Sequence, residues 1–154
     1  MGLEIERKFL LAKDTWRQIS DQGIRIRQGY LNLDIERTVR VRVVGDQGKL
    51  TIKGKTVGTT RLEFEYDIPS EEAVQLLELC ERPLIEKVRY IVKDEGNIWE
   101  IDEFDGANKG LLIAEIELGA ESQTVNIPDW IGEEVSHDIR YYNSSLIKKP
   151  YGEW

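Results

Sequence analysis

From Leu3 to Leu118 the chain keeps returning to one pattern: apolar and charged side chains alternate with a period of two. That period suits a strand, whose successive side chains leave opposite faces, and not a helix. The runs are Leu3 to Leu11, Thr38 to Val44, Lys49 to Lys53, Arg61 to Ile68, Glu86 to Val92, Ile98 to Phe104 and Leu111 to Leu118, with a less regular one from Ile24 to Leu33. Turn chemistry joins several of them as antiparallel hairpins: Gly45-Asp46-Gln47-Gly48, Asp94-Glu95-Gly96-Asn97 and Asp105 to Gly110. A meander of about eight strands is near the number at which a sheet curls and closes.

Two segments break the alternation. Residues 70–81 read as a helix, with Ser70 as N-cap, Glu71 and Glu72 at its positive end, an apolar stripe of Ala73, Val74, Leu76, Leu77 and Leu79, and Pro83 as the stop. A second helix is expected from Ser136 or Asp138 to Lys149, ahead of Pro150, and a short one over Asp14 to Ser20. With 154 residues and no repeat or linker, the expectation is one domain over 1–154. The expected class is mainly β with some helix (α+β): a mostly antiparallel sheet of about eight strands, curling toward an eight-stranded antiparallel closed barrel, or tunnel, with a few flanking helices.

The two faces of each strand carry the functional signal. Glu4, Glu6 and Lys8 oppose Leu3, Ile5 and Phe9; Arg40 and Arg42 oppose Val39, Val41 and Val43; Lys49, Thr51 and Lys53 oppose Leu50 and Ile52; Glu63 and Glu65 oppose Leu62, Phe64 and Tyr66. Lys87 and Arg89 oppose Val88, Tyr90 and Val92; Glu100 and Asp102 oppose Trp99 and Ile101; Glu115 and Glu117 oppose Ala114, Ile116 and Leu118. In any one strand a charged face is ordinary solvated surface. Across all of them the ionic face holds almost no Ser, Thr, Asn or Gln, and the signs segregate by strand, whereas a surface serving only solubility intersperses them. Curling the sheet with that face inward, under helices laid on the apolar outer face, makes a charged tunnel. Burying unpaired ions costs several kcal/mol each, so the tunnel must hold water, counter-ions or a ligand. A polyanion carried with a divalent cation satisfies both signs, cations taking phosphate oxygens and carboxylates taking Mg2+ or Mn2+.

Composition narrows the partners. Lys and Arg number 21 against 29 Asp and Glu, a formal net charge of −8, which disfavours a nucleic-acid partner. No stretch approaches the apolar length of a membrane span, and the charged start, Glu4 to Lys8, is unlike a signal peptide, so no membrane partner and a cytoplasmic setting are expected. Cys80 has no partner for an intrachain disulfide, in keeping with a reducing compartment. A homodimer is compatible with everything in the sequence. Gly54-Lys55-Thr56 lacks the upstream glycine and following helix of a P-loop, and the lone His137 has no triad around it.

Glu4-Ile5-Glu6-Arg7-Lys8 matches the ExExK signature of the CYTH domain, the triphosphate tunnel metalloenzymes. Further matches follow in family order: Gln28 to Leu31, Arg40-Val41-Arg42, Leu50 to Lys53, Glu63-Phe64-Glu65, Lys87 to Tyr90, Glu100-Ile101-Asp102, Glu115-Ile116-Glu117 and Asp138 to Asn143. The chain therefore resembles that family over nearly its whole length. The resemblance implies a tunnel barrel that hydrolyses or cyclises small-molecule triphosphates with divalent metal. It further implies that Lys8, Arg40, Arg42, Lys53, Lys87 and Arg89 bind the triphosphate. Glu4, Glu6, Glu115 and Glu117 would hold one or two Mg2+ or Mn2+ ions, with Glu63, Glu65 and Asp102 contributing to metal and water positioning. Similar small bacterial members pair a tunnel tyrosine with a lysine to favour inorganic tripolyphosphate, and Tyr30 with Lys87 matches that pair. Lys87, Tyr30, Glu4 and Glu6 are thus the candidate catalytic residues. Ser136 stands where the family often has Thr. Hydrolysis of inorganic tripolyphosphate to pyrophosphate and phosphate is the expected reaction; the alternatives are a thiamine or nucleoside triphosphatase, a class IV adenylyl cyclase, or a polyphosphate-binding module without catalysis.

Overall fold

Every alternating run becomes a strand in the computed structural model, which describes residues 2–154. The described residues form β1 (Gly2–Leu11), β2 (Ile24–Asn32), β3 (Arg37–Val44), β4 (Gln47–Gly54), β5 (Thr60–Ile68), β6 (Ile85–Asp94), β7 (Asn97–Phe104), β8 (Leu112–Glu117) and β9 (Ile131–Glu134). All pairings are antiparallel, in the order β5-β4-β3-β2-β6-β7-β8-β1-β9. A further pairing of β5 with β1, through Gly2↔Glu63 to Ile5↔Thr60, closes the first eight strands into a barrel. The expected turns make the hairpins, with Gly45, Glu95 and Gly96 at positive φ. β9, absent from the sequence expectation, is a four-residue piece that pairs with β1 beyond Phe9, after β1 has parted from β5.

The barrel's outer face is covered in sectors. Over β6, β7 and β8, Trp16 and Trp130 pack on Phe9, Val92, Trp99, Ile101 and Ile116. The segment expected as a short helix at 14–20 is a 3-10 turn, Thr15–Gln18, which delivers Trp16 to that cluster. Over β3 and β4, helix α1 (Ser70–Glu78) buries Ala73 and Leu77 against Val41. It begins after Pro69, which holds the N-cap position in an extended conformation, so Ser70 is the first helical residue and not the cap. It ends at Glu78, short of the expected residue 81. The approach is close: a Cβ on Gly48 would lie 2.8 Å from that of Ala73, and one on Gly29 2.6 Å from that of Cys80. The outer face of β5 is bare, with Leu62, Phe64 and Tyr66 exposed by 54%, 41% and 55%.

The carboxy-terminal segment departs most from expectation. The helix expected to reach Lys149 is broken: Asp138 caps a 3-10 turn, Ile139–Tyr141, by accepting from the Arg140 N–H; Tyr142 is extended; and α2 spans only Asn143–Lys148. The Ser136 hydroxyl accepts from the Lys8 N–H, tying the segment to β1 and capping no helix. Nor does α2 lie on the outer face. Leu146 and Ile147 are buried with Ile85, Phe104 and Ile113. These three share strand parity with Lys87, Asp102 and Glu115 and so point inward. The interior is therefore apolar at one end and stoppered there by α2. The structure corrects the expectation of two outer covering helices to one helix outside and one plug. No helix among the described residues is long and apolar enough to cross a membrane.

Candidate active site

Above the plug the inward residues are ionic, and strand order sorts them. β4, β3, β2 and β6 are neighbours and supply Lys53, Arg40, Arg42, Lys87 and Arg89; β7, β8, β1 and β5 are neighbours and supply Glu100, Glu115, Glu117, Glu4, Glu6, Glu63 and Glu65. A cationic wall faces an acidic one across a cavity of about 220 Å3. Lys8 and Arg61 are cations on the acidic side.

The walls are tied by ion pairs. At one seam Lys53 Nζ lies 3.0 Å from Glu4 Oε1 and 3.5 Å from Glu63 Oε2, while Arg42 Nη2 is 3.0 Å from Glu65 Oε2. At the other, Arg89 grips both oxygens of Asp102 (2.8 and 2.9 Å) and Lys87 Nζ adds a 2.7 Å contact. Arg61 Nε also reaches Glu4 Oε1, at 3.1 Å. Lys8 and Arg61 both lie over the ring of Tyr142, which borders the cavity.

Protonation follows this packing. Burial, then the adjacent Glu115 carboxylate, pushes Glu6 up to about 8, well above the usual carboxylate range. Burial would raise Glu115 too, but Lys8, a hydrogen bond from Glu6, Arg89 and Lys87 hold it well below that range. Against its own burial, Asp102 is held down at about 2 by Arg89 and Lys87. Lys87 is nevertheless depressed to about 8, because burial and the nearby Arg89 outweigh Asp102. Arg42 is lowered to about 10 by burial and by Arg40.

Of the residues singled out from the sequence, Glu4, Glu6, Lys8, Tyr30, Arg40, Arg42, Lys53, Glu63, Glu65, Lys87, Arg89, Glu115 and Glu117 all border this cavity. Asp102 does not: it lies behind the cationic wall, 1% exposed, with its oxygens taken by Arg89 and Lys87. In this arrangement it is the counter-ion of that wall. Residues not singled out are Thr38, Arg61, Glu100, Tyr142, Asn143 and Ser144. Arg61 and Glu100 carried a signal, the parity of Glu63 and Asp102. Tyr142 and Asn143 carried one only as the end of the family match from Asp138 to Asn143, with no pointer to the cavity, and Ser144 carried none, because the segment expected as an outer helix turns inward.

Among the described residues no group of three or more His, Cys, Asp or Glu side chains converges as a ready-made metal cage. The donor set still suits a hard divalent cation, since it is all carboxylate oxygen and Glu4, Glu6, Glu115 and Glu117 line one cavity. Mg2+ and Mn2+ take a carboxylate or two and complete their shells with water and phosphate.

A family model described as the CYTH domain matches residues 2–151. A protein named inorganic triphosphatase from Acetivibrio thermocellus is 53% identical over 152 residues, covering 98% of this chain and 97% of that one. Another of the same name, from Nitrosomonas europaea, is 35% identical over 147 residues, covering 93% and 95%. Among solved structures, that of the inorganic triphosphatase NE1496 superposes with a TM-score of 0.66 at 32% identity, covering 93% of this chain and 96% of that one. The PH1012 protein of Pyrococcus horikoshii, 19% identical with a TM-score of 0.60 over 77% of this chain and 79% of that one, shares the fold.

Proposed function

The chain belongs to the CYTH domain family, and from that premise we propose that it hydrolyses inorganic tripolyphosphate to pyrophosphate and phosphate within the barrel, using Mg2+ or Mn2+. The observation that carries this reading is the division of one polar cavity into contiguous cationic and acidic walls. A polyanion alone would be repelled by the acidic wall, and a cation alone by the other. A metal–phosphate complex matches both. The names of the two relatives support the same substrate class.

In this reading Lys8, Arg40, Arg42, Lys53, Lys87 and Arg89 bind phosphate oxygens, and Arg61 joins them from the acidic side. Four of these cations are paired with carboxylates across the cavity, so their turning to phosphate would free acids: Lys53 and Arg61 would release Glu4, and Arg40 and Arg42 would release Glu65. Substrate entry and exposure of the acidic wall are thereby coupled. Glu4, Glu6, Glu115 and Glu117, with Glu63 beside them, would hold one or two divalent ions. When bound, such an ion neutralises charge between phosphoryl groups and acidifies a water for attack. The cationic wall is fixed before the reaction and stabilises charge as it redistributes on the transferred phosphoryl group. Asp102 keeps Lys87 and Arg89 aimed. A cytoplasmic setting and a single domain over 1–154 are part of the proposal.

The deciding experiment is phosphate release from tripolyphosphate, ATP and thiamine triphosphate, each with and without Mg2+ or Mn2+. Metal-dependent preference for tripolyphosphate is expected. Comparable turnover of ATP or thiamine triphosphate would replace the substrate, and binding without turnover would leave a polyphosphate-binding module.

A further inference from the structure

The plug does more than close the barrel, because its first residue enters a hydrogen-bond network whose direction is fixed by one donor-only group. Lys87 Nζ, on a side chain 2% exposed, cannot accept a hydrogen bond. It lies 3.0 Å from Asn143 Oδ1, so the Asn143 amide must present its oxygen there. Gln28, fully buried, donates Nε2–H to the same oxygen at 3.2 Å and to the Tyr30 hydroxyl oxygen, also at 3.2 Å. The Tyr30 oxygen is thus an acceptor within the wall, and its own O–H is free to donate. The Asn143 Nδ2 group makes no hydrogen bond among the described residues, and Asn143 borders the cavity. Gln28 Oε1 is buried without a partner, the cost of orienting the network this way.

Three donors are therefore left without a protein acceptor on residues that line the cavity: the amide of Asn143, the hydroxyl of Tyr30 and the remaining N–H of Lys87. Directly behind them Leu146, Ile147, Ile85, Phe104 and Ile113 fill the barrel. A linear chain entering from the open side can go no further, and whatever reaches this point is an end group.

We propose that Asn143 is a substrate-binding residue that, with Tyr30 and Lys87, receives the unsubstituted end phosphate of an inorganic polyphosphate at the closed end of the barrel. This rests on the tripolyphosphate reading above. It adds a reason for selectivity: a doubly or triply charged phosphate end can accept from all three donors, while an organic end group can satisfy few of them and meets the plug.

The test is equilibrium binding of a non-hydrolysable imido analogue of tripolyphosphate in the presence of Mg2+, followed calorimetrically so that no turnover occurs, with thermal unfolding as the check on folding. Asn143→Ala is expected to weaken binding about tenfold. The same loss is expected in a Lys87→Met background, since Asn143 contacts the ligand itself. Asn143→Asp keeps the oxygen that Lys87 needs but removes the donors, and is expected to fold and to lose at least as much. Wild-type affinity in either single variant, or a loss that vanishes in the Lys87→Met background, would overturn the proposal. A wild-type protein that neither binds the analogue nor releases phosphate from tripolyphosphate with Mg2+ would instead remove the substrate reading and this inference with it.

Discussion

Replacing Asp102 by Asn tests whether the cationic wall depends on its buried counter-ion. The carboxylate is 1% exposed and accepts two bonds from Arg89 and one from Lys87. An amide of the same shape keeps one oxygen and turns an N–H toward a cation. Breaking a buried ion pair by removing one partner costs about 3–5 kcal/mol. Lys87, already depressed to about 8, can shed its proton and so limit the loss to about 3 kcal/mol at pH 7. For a chain of this length that lowers Tm by roughly 6–12 °C. Part of the effect depends on pH. The Asp102 carboxyl titrates at about 2 in the folded protein against 3.8 ordinarily. Its contribution, about 2 kcal/mol, is thus fully present above the unfolded value and is lost as pH falls through the folded one. Urea or thermal unfolding of both proteins at pH 7, 3 and 2 should show the gap between them narrowing toward acid. A gap below about 1 kcal/mol at pH 7, or one as wide at pH 2 as at pH 7, refutes the reasoning.

Other perturbations probe different parts. Glu4→Ala should abolish metal-dependent phosphate release while leaving a folded barrel; substantial turnover in a steady-state assay would remove Glu4 from the metal site. In the free protein Lys87 titrates at about 8, so kcat/KM for tripolyphosphate should fall above that pH, and Lys87→Arg, which stays charged, should flatten that limb. Because the folded value of Lys87 lies below its ordinary 10.5, the unfolded chain binds more protons between the two; the contribution of this residue to stability rises with pH across that window. Gly29→Ala forces a Cβ to within 2.6 Å of the Cys80 Cβ and should cost about 1–3 kcal/mol in denaturant unfolding.

Legibility from sequence tracked the range of the interaction. Parity along a strand is local, so Arg40 with Arg42, or Glu115 with Glu117, could be assigned to one face without knowing the neighbours. The same parity also embraced Asp102, yet burial behind Arg89 and Lys87 is a matter of depth, which alternation does not encode. The segment from 138 to 149 carries helix signals, but its apolar residues Leu146 and Ile147 fit equally the outside of a sheet or the mouth of a barrel. Only the space left by Ile85, Phe104 and Ile113 selects the second.

The amino-acid order alone determined which side chains share a surface and that one surface is ionic, because a strand's period of two is a property of the backbone. Which ionic surfaces stand next to each other was decided by tertiary structure. The placement of β2 beside β6, and the closure of β5 onto β1, join residues far apart in the chain and so gather cations on one side and acids on the other. The same long-range packing turned Asn143 inward and stopped one end of the barrel, since the plug is held by contacts that no local pattern of residues specifies.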